Sequence, residues 1–264
     1  MLTDLLWYEY VFIGFAGVVV GIINTLAGSG SLITLPIFIF LVGLPAPVAN
    51  GTNRIGAFLQ SLTGIYAFSK TQKLPIEASR WLLLPTLVGA ALGSWIASQL
   101  DKEAMFQVVG YLMVVMLVVL LIKPKRWITP TQTENIRTKG PLVFGVFFLI
   151  GVYGGFIQAG VGIFLLAALV LISRFNLTNS NIIKLILVLL FNIPTLIIFF
   201  YYNQVNIGWG LFMAVCQSVG AVLGVRFITK VPNANIWIHR LLILIVVISI
   251  FRFFGIWEWV MGLT

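Results

Sequence analysis

Ala27-Gly28-Ser29-Gly30 returns 132 residues later as Ala159-Gly160-Val161-Gly162, and Val88-Gly89-Ala90-Ala91-Leu92-Gly93 returns 131 residues later as Val219-Gly220-Ala221-Val222-Leu223-Gly224. Two anchors whose offsets agree within one residue mark a duplicated unit rather than chance glycine spacing. In a chain this apolar, such a duplication points to transport.

The 264 residues are 60% hydrophobic and 9% charged, with a mean hydropathy of +1.09. That leaves too little polar surface for a soluble globule and places the chain in a lipid bilayer. Long apolar runs are separated by short polar connectors, so residues 1–264 read as a single membrane domain. Asp4 and Glu9 precede the first run in place of a basic leader region, so that run is expected to stay as a helix. Cys216 is the only cysteine, which excludes an internal disulfide and CxxC chemistry. The net charge of +9 is scattered over several loops, a pattern of membrane topology and not of nucleic-acid binding.

The apolar segments run roughly over 8–26, 31–43, 54–69, 80–99 and 104–122, then 141–158, 162–173, 181–202, 207–228 and 237–254. Repeat one thus covers about 8–122 and repeat two about 141–254, joined by a cytoplasmic linker at about 123–140. Most segments approach the ~20 residues that a helix needs to cross hydrocarbon. The two that follow the glycine turns do not. Gly28, Gly30, Gly160 and Gly162 are expected to break the helices there, because glycine opens backbone angles closed to other residues and weakens a helix. A broken backbone at membrane depth is tolerated only inside protein or beside a wet cavity.

Basic residues orient the segments. With the loops around 70–80, 123–140, 174–184 and 226–240 on the cytoplasmic side, they hold all of the 16 Lys and Arg except Arg54, Lys102 and Arg252. The loop at 70–80 is then inside, whereas its repeat partner at 202–206, which carries no charge, is outside. The halves are therefore expected to be inverted, with both termini on the exterior or periplasmic side. The fold class is an all-α integral membrane protein of two inverted repeats, each of about five hydrophobic segments. Trp7, Trp81 and Trp209 lie near segment ends, where indole rings favour the headgroup layer.

Candidate binding residues cluster at the breaks. Asn24, Ser29, Ser31 and Gln158 lie in or beside interrupted apolar sequence, where free backbone N–H groups and helix N-termini suit an anion. Satisfying the broken backbone itself is the competing role. Arg54 and Lys184 are expected to begin the long helices after the short segments; one role for them is to reach inward to an anion, the other to snorkel to the interface. Asn53, Gln60, Ser61, Asn192 and Gln217 suit interhelical hydrogen bonding, and orienting a substrate is the other role for Asn53 and Gln217. Gly17-xxx-Gly21, Gly89-xxx-Gly93 and Gly220-xxx-Gly224 suit close helix packing.

The acids all lie in loops or at ends, so no carboxylate is placed to relay protons or bind a cation. Gly28-Ser29-Gly30-Ser31 could suit an intramembrane serine hydrolase, yet His239 is the only histidine to act as its base. No enzyme activity, cofactor or metal centre is expected.

Gly21-Ile22-Ile23-Asn24-Thr25-Leu26-Ala27-Gly28-Ser29-Gly30-Ser31-Leu32-Ile33-Thr34-Leu35-Pro36, followed by Gly43-Leu44-Pro45-Ala46-Pro47-Val48-Ala49-Asn50-Gly51-Thr52-Asn53, resembles the first-repeat signature of the TauE/SafE sulfite exporter family. Gly155-Phe156-Ile157-Gln158-Ala159-Gly160-Val161-Gly162 is similar to its second signature, and the resemblance covers about residues 10–254. It implies a secondary carrier in the cytoplasmic membrane of a prokaryote, moving sulfite, sulfonates or related small organic or sulfur anions, often outward. One departure is Asn181-Ile182-Ile183-Lys184, which stands where the first repeat has Ala49-Asn50-Gly51-Thr52. The expected mechanism is alternating access between inverted halves, with a small anion and the bilayer as partners. A non-transporting accessory or binding subunit is the alternative class. The coupling ion, proton or sodium, and a homo-oligomeric state stay open.

Overall fold

A computed structural model describes residues 5–70, 73–122, 136–228 and 234–255. The ends of the chain with Asp4 and Glu258, most of the expected linker and the side chain of His239 lie outside the described residues. Ten α-helices and no strand are found among the described residues: α1 (Trp7–Ala27), α2 (Ser31–Pro36), α3 (Ala46–Ser69), α4 (Ile76–Ser98), α5 (Lys102–Leu121), α6 (Pro141–Phe156), α7 (Val161–Ala167), α8 (Leu177–Tyr201), α9 (Ile207–Ile228) and α10 (Ala234–Phe253).

Local chemistry explains several boundaries. Asp101 accepts a hydrogen bond from Ala104 N–H at 2.7 Å, and Asn176 accepts one from Asn179 N–H at 2.7 Å, capping α5 and α8. α1 ends in a left-handed Gly28 (φ 72°), whose N–H returns to the Asn24 carbonyl, and a left-handed Gly160 (φ 70°) opens α7. Both breaks fall where the glycine motifs placed them. α2 and α7 each run on into one π-helical turn, Ile37–Leu41 and Ala168–Ile172. Even with those turns, at about 1.5 Å per residue they reach only about half of a ~30 Å hydrocarbon layer.

The third helix of each half starts earlier than expected, at Ala46 and Leu177 rather than near 54 and 181. The polar run Asn50, Thr52, Asn53 looks like connector because it lacks apolar periodicity. It is helical because its partners lie across the bundle, and Pro47 is tolerated in a first turn. Arg54 and Lys184 therefore sit two turns inside their helices.

Among the described residues, five helices are long and apolar enough to cross a membrane: Trp7–Ala27, Ser79–Ser98, Lys102–Leu121, Leu177–Tyr201 and Ile207–Arg226. Large apolar side chains such as Phe15, Leu84, Tyr111, Ile197 and Val215 are exposed on the outside, as lipid contact requires. α1 packs on α9 and α4 on α6; α3 lies against α8 and α9, α8 also lies against α4, and α5 pairs with α10. Small residues set the first two contacts. A Cβ added at Gly93 would lie 2.0 Å from the Val152 carbonyl oxygen and one at Gly155 2.0 Å from that of Ala90. Gly220 and Gly21 approach the backbone of Val18 and Gln217 in the same way. Trp209 departs from the headgroup reading: it is buried and stacked on Tyr10, with ring centroids 5.4 Å apart.

Candidate functional site

The two glycine turns touch. Gly162 N–H donates to the Gly28 carbonyl at 3.0 Å, and a Cβ at either glycine would lie within 2.4 Å of the other's Cα. A backbone broken in each half thus finds its partner in the other half, inside protein, as the bilayer demands.

Each turn is held by a cation from the opposite half. Lys184 on α8 donates from Nζ to the carbonyls of Asn24 (3.1 Å) and Thr25 (3.0 Å) at the end of α1, and to Asn181 Oδ1 at 3.0 Å. Arg54 on α3 donates from Nη1 to the Gly154 carbonyl and from Nη2 to that of Gly155 (2.8 Å) at the end of α6, and to Asn50 Oδ1 at 3.3 Å. Asn50 Nδ2 donates to the next carbonyl, Phe156, at 2.8 Å. In both places a cation sits at the negative end of a helix and satisfies carbonyls that the break leaves without intrahelical partners. Arg54 also lies 5.3 Å from the centre of the Phe199 ring.

Both cations are buried, at 0% and 1% relative exposure, so the snorkelling role is excluded for each. No Asp or Glu is buried among the described residues. Two desolvated positive charges are therefore balanced by helix ends and amides, with no carboxylate beside either.

A water-sized cavity of about 10 Å³ lies beside Lys184, lined by Asn24, Gly28, Ser61, Gln158, Val161, Gly162, Lys184, Leu185 and Val188. Of the residues expected to form a site, Asn24, Gly28, Gln158, Gly162 and Lys184 meet there. Asn53 and Ser31 join through hydrogen bonds: Asn53 Nδ2 donates to Ser31 Oγ at 3.0 Å and to Gln158 Oε1 at 3.3 Å. Asn24 is committed to the turn, accepting from Gly30 N–H at 3.3 Å and donating to Gln60 Oε1 at 2.7 Å. Gly30 itself has an ordinary helical φ and is the N-cap of α2, not a left-handed break. Ser29 Oγ is buried with no hydrogen-bond partner. Ser29, Gly30, Arg54, Gly160 and Gln217 do not line the cavity; Gln217 donates to Thr34 Oγ1 at 3.3 Å, tying α9 to α2.

The profile described as Sulfite exporter TauE/SafE matches residues 13–253 of the chain. The chain belongs to the TauE/SafE family. Among curated relatives of this TauE/SafE member, the "Probable membrane transporter protein ORF9" of Sinorhizobium sp is 23% identical over 228 residues, covering 86% of this chain and 85% of that protein. The "Probable membrane transporter protein YfcA" of Escherichia coli K12 is 25% identical over 214 residues (81% and 78%), and a "Probable membrane transporter protein" of Haemophilus influenzae is 24% identical over 214 residues (80% and 82%). No solved structure matches the chain significantly. With the family and the apolar helices together, this TauE/SafE protein is a multi-pass membrane transporter acting on a small molecule across a lipid bilayer.

Sequence reasoning passed over Asn50 and Asn181 and took Ser61 for interhelical glue. A signal for the two asparagines existed: each precedes its half's buried cation by about one helical turn, and the two lie 131 residues apart. Matching Asn50 with Asn181 sets Lys184 opposite Asn53 and Arg54 opposite Leu185, so the two cations take equivalent roles from positions one residue out of register. No sequence signal distinguishes Ser61, whose Oγ is buried, without partner and on the cavity wall.

Proposed function

We propose that this transporter is a secondary carrier of a small anion, of the sulfite, sulfonate or related organic and sulfur-anion class, exporting it by alternating access between inverted halves in a prokaryotic cytoplasmic membrane. The observation that carries the reading is the pair of buried cations at crossed helix breaks, with no buried carboxylate among the described residues. A charge buried in a membrane protein is costly, so it is retained where it serves a substrate or an ion. Lys184 on the cavity wall with no acid beside it, and Arg54 behind it on α3, favour an anionic occupant over a metal ion or organic cation.

The donors around the breaks suit oxygens of such an anion. Ser29 Oγ and Ser61 Oγ have no protein partner, and Ser31 Oγ, which accepts from Asn53, keeps its O–H free to donate. Asn53 and Gln158 orient the pocket through their mutual bond. Inversion would carry the site from one side to the other by rocking the halves about the Gly28–Gly162 contact.

The test is counterflow with purified protein in liposomes, using sulfite, methanesulfonate and a small carboxylate as probes. Exchange of at least one anion above protein-free liposomes is expected, and it should weaken in Lys184→Gln. A folded protein that exchanges none of the three would remove the anion reading.

A further inference from the structure

Building on the anion reading, we propose that Lys184 is the proton site of the carrier, taking up and releasing one proton at Nζ in each transport cycle.

The two halves place different cations in matching roles. Arg54 is buried against α6 and Phe199 and does not line the cavity beside Lys184. A guanidinium keeps its proton in proteins, so this cap is permanent. Lys184 caps α1 in the same manner with a group that can give its proton up, and it alone of the two faces the cavity. Beside it, Ser61 Oγ is buried without a partner on the wall of a water-sized cavity, which leaves a hydroxyl free for a water carrying a proton.

The geometry around Nζ fits the charged form. Three acceptors stand at 3.0–3.1 Å, one for each N–H of an ammonium. A neutral amine has two N–H groups and a lone pair, so losing the proton sets that lone pair against one of the three oxygens. The joint between the end of α1 and α8 then loosens by one bond, next to the contact between the glycine turns. Proton occupancy is in this way tied to the junction of the halves.

No other titratable side chain lines the cavity. On the helices packed around α8, Arg54 of α3 donates into α6, and Tyr153 of α6 donates its hydroxyl to the Ala159 carbonyl at 2.6 Å. Tyr66 of α3, Glu77 and Arg80 of α4 and Tyr201 of α8 are exposed, Glu9 of α1 caps its own helix start, Tyr8 and Tyr10 lie at that same end, and α7 carries none.

In the cycle, the Nζ lone pair bonds a proton from water on one side and a monoanion enters beside the ammonium, so the loaded site gains no net charge. On the other side the anion leaves, the N–H bond breaks, and the proton passes to water with the electron pair staying on nitrogen. Anion and proton travel in the same direction. An acid exterior therefore drives the anion inward, and export runs when the outward anion gradient is steeper than the inward proton gradient.

Liposomes holding the purified full chain, with labelled methanesulfonate and an internal pH dye, provide the test. A sulfonate stays ionised throughout and carries no proton itself. Wild type should concentrate methanesulfonate by up to about tenfold per unit of acid-outside pH gradient, for one proton per monoanion. Lys184→Arg should exchange it more slowly, with no pH-driven accumulation and no internal pH change, while the exposed Lys102→Arg follows wild type. Should Lys184→Arg fail to fold, Asn181→Asp replaces it: a carboxylate at that position holds the proton on Nζ, and accumulation should again be lost with exchange remaining. Exchange by wild type that ignores the pH gradient overturns the proton site and leaves the anion reading intact. Accumulation persisting in Lys184→Arg moves the proton elsewhere, and absence of exchange with every anion probe takes down both.

Discussion

At the scale of single residues, the matching of Asn50–Arg54 with Asn181–Lys184 makes separable predictions. Arg54→Gln should cost about 2 kcal/mol or more, because it strips charge-assisted donors from the carbonyls of Gly154 and Gly155 and leaves them buried. Asn50→Ala should cost about 1 kcal/mol by freeing the Phe156 carbonyl. Thermal unfolding of the purified variants in detergent checks the order; an Arg54→Gln protein as stable as wild type would mean that the cap is not structural. The candidate site was legible in the sequence as a neighbourhood. Glycine turns, Asn24, Gln158 and Lys184 were drawn to one place by local motif, since a helix break at membrane depth announces itself. The split of roles was not legible. Arg54 and Lys184 look alike in the chain, and only the tertiary path of α6 and α1 decides which cation is sealed and which meets a cavity.

At the scale of helices, close packing through glycine rather than side-chain interdigitation holds α4 to α6 and α1 to α9. Gly155→Leu would drive a side chain into the Ala90 backbone, where the Cβ alone already sits 2.0 Å from the carbonyl oxygen. Backbone cannot yield as a rotamer can, so the two helices must separate, and loss of monodisperse protein on size-exclusion chromatography is expected. Gly145→Ala lies on the same helix α6, with nothing within 4 Å of its added Cβ, and should be neutral or stabilise by up to about 1 kcal/mol through helix propensity. If the two variants behave alike, the glycines matter for flexibility and not for contact. The breaks and most of the long segments could be read from apolar runs and glycine. The starts of α3 and α8 could not, because a polar stretch whose partners lie in another helix has the same composition as a loop.

At the scale of the whole molecule, the large contacts run from one half to the other, and exchanging the halves turns α1 against α9 into α6 against α4. Hydrophobic patterning tells which face of a helix is buried and not which helix covers it, so these pairings could not be read in advance. The charge asymmetry could be read, and it makes the relation between the halves testable. Lys73 follows α3 and Asn203 follows α8, both exposed and at matching places in the repeats. If the halves are inverted, the two positions face opposite sides of the membrane. Cys216 is the single native cysteine, so a Cys216→Ala background allows one new thiol at a time. In intact cells, Asn203→Cys should react with a membrane-impermeant maleimide, whereas Lys73→Cys should react only after the membrane is opened. Labelling of both from the same side would make the repeats parallel. The site could then no longer be carried across by exchanging the conformations of two inverted halves, and the Gly28–Gly162 contact would become a static brace.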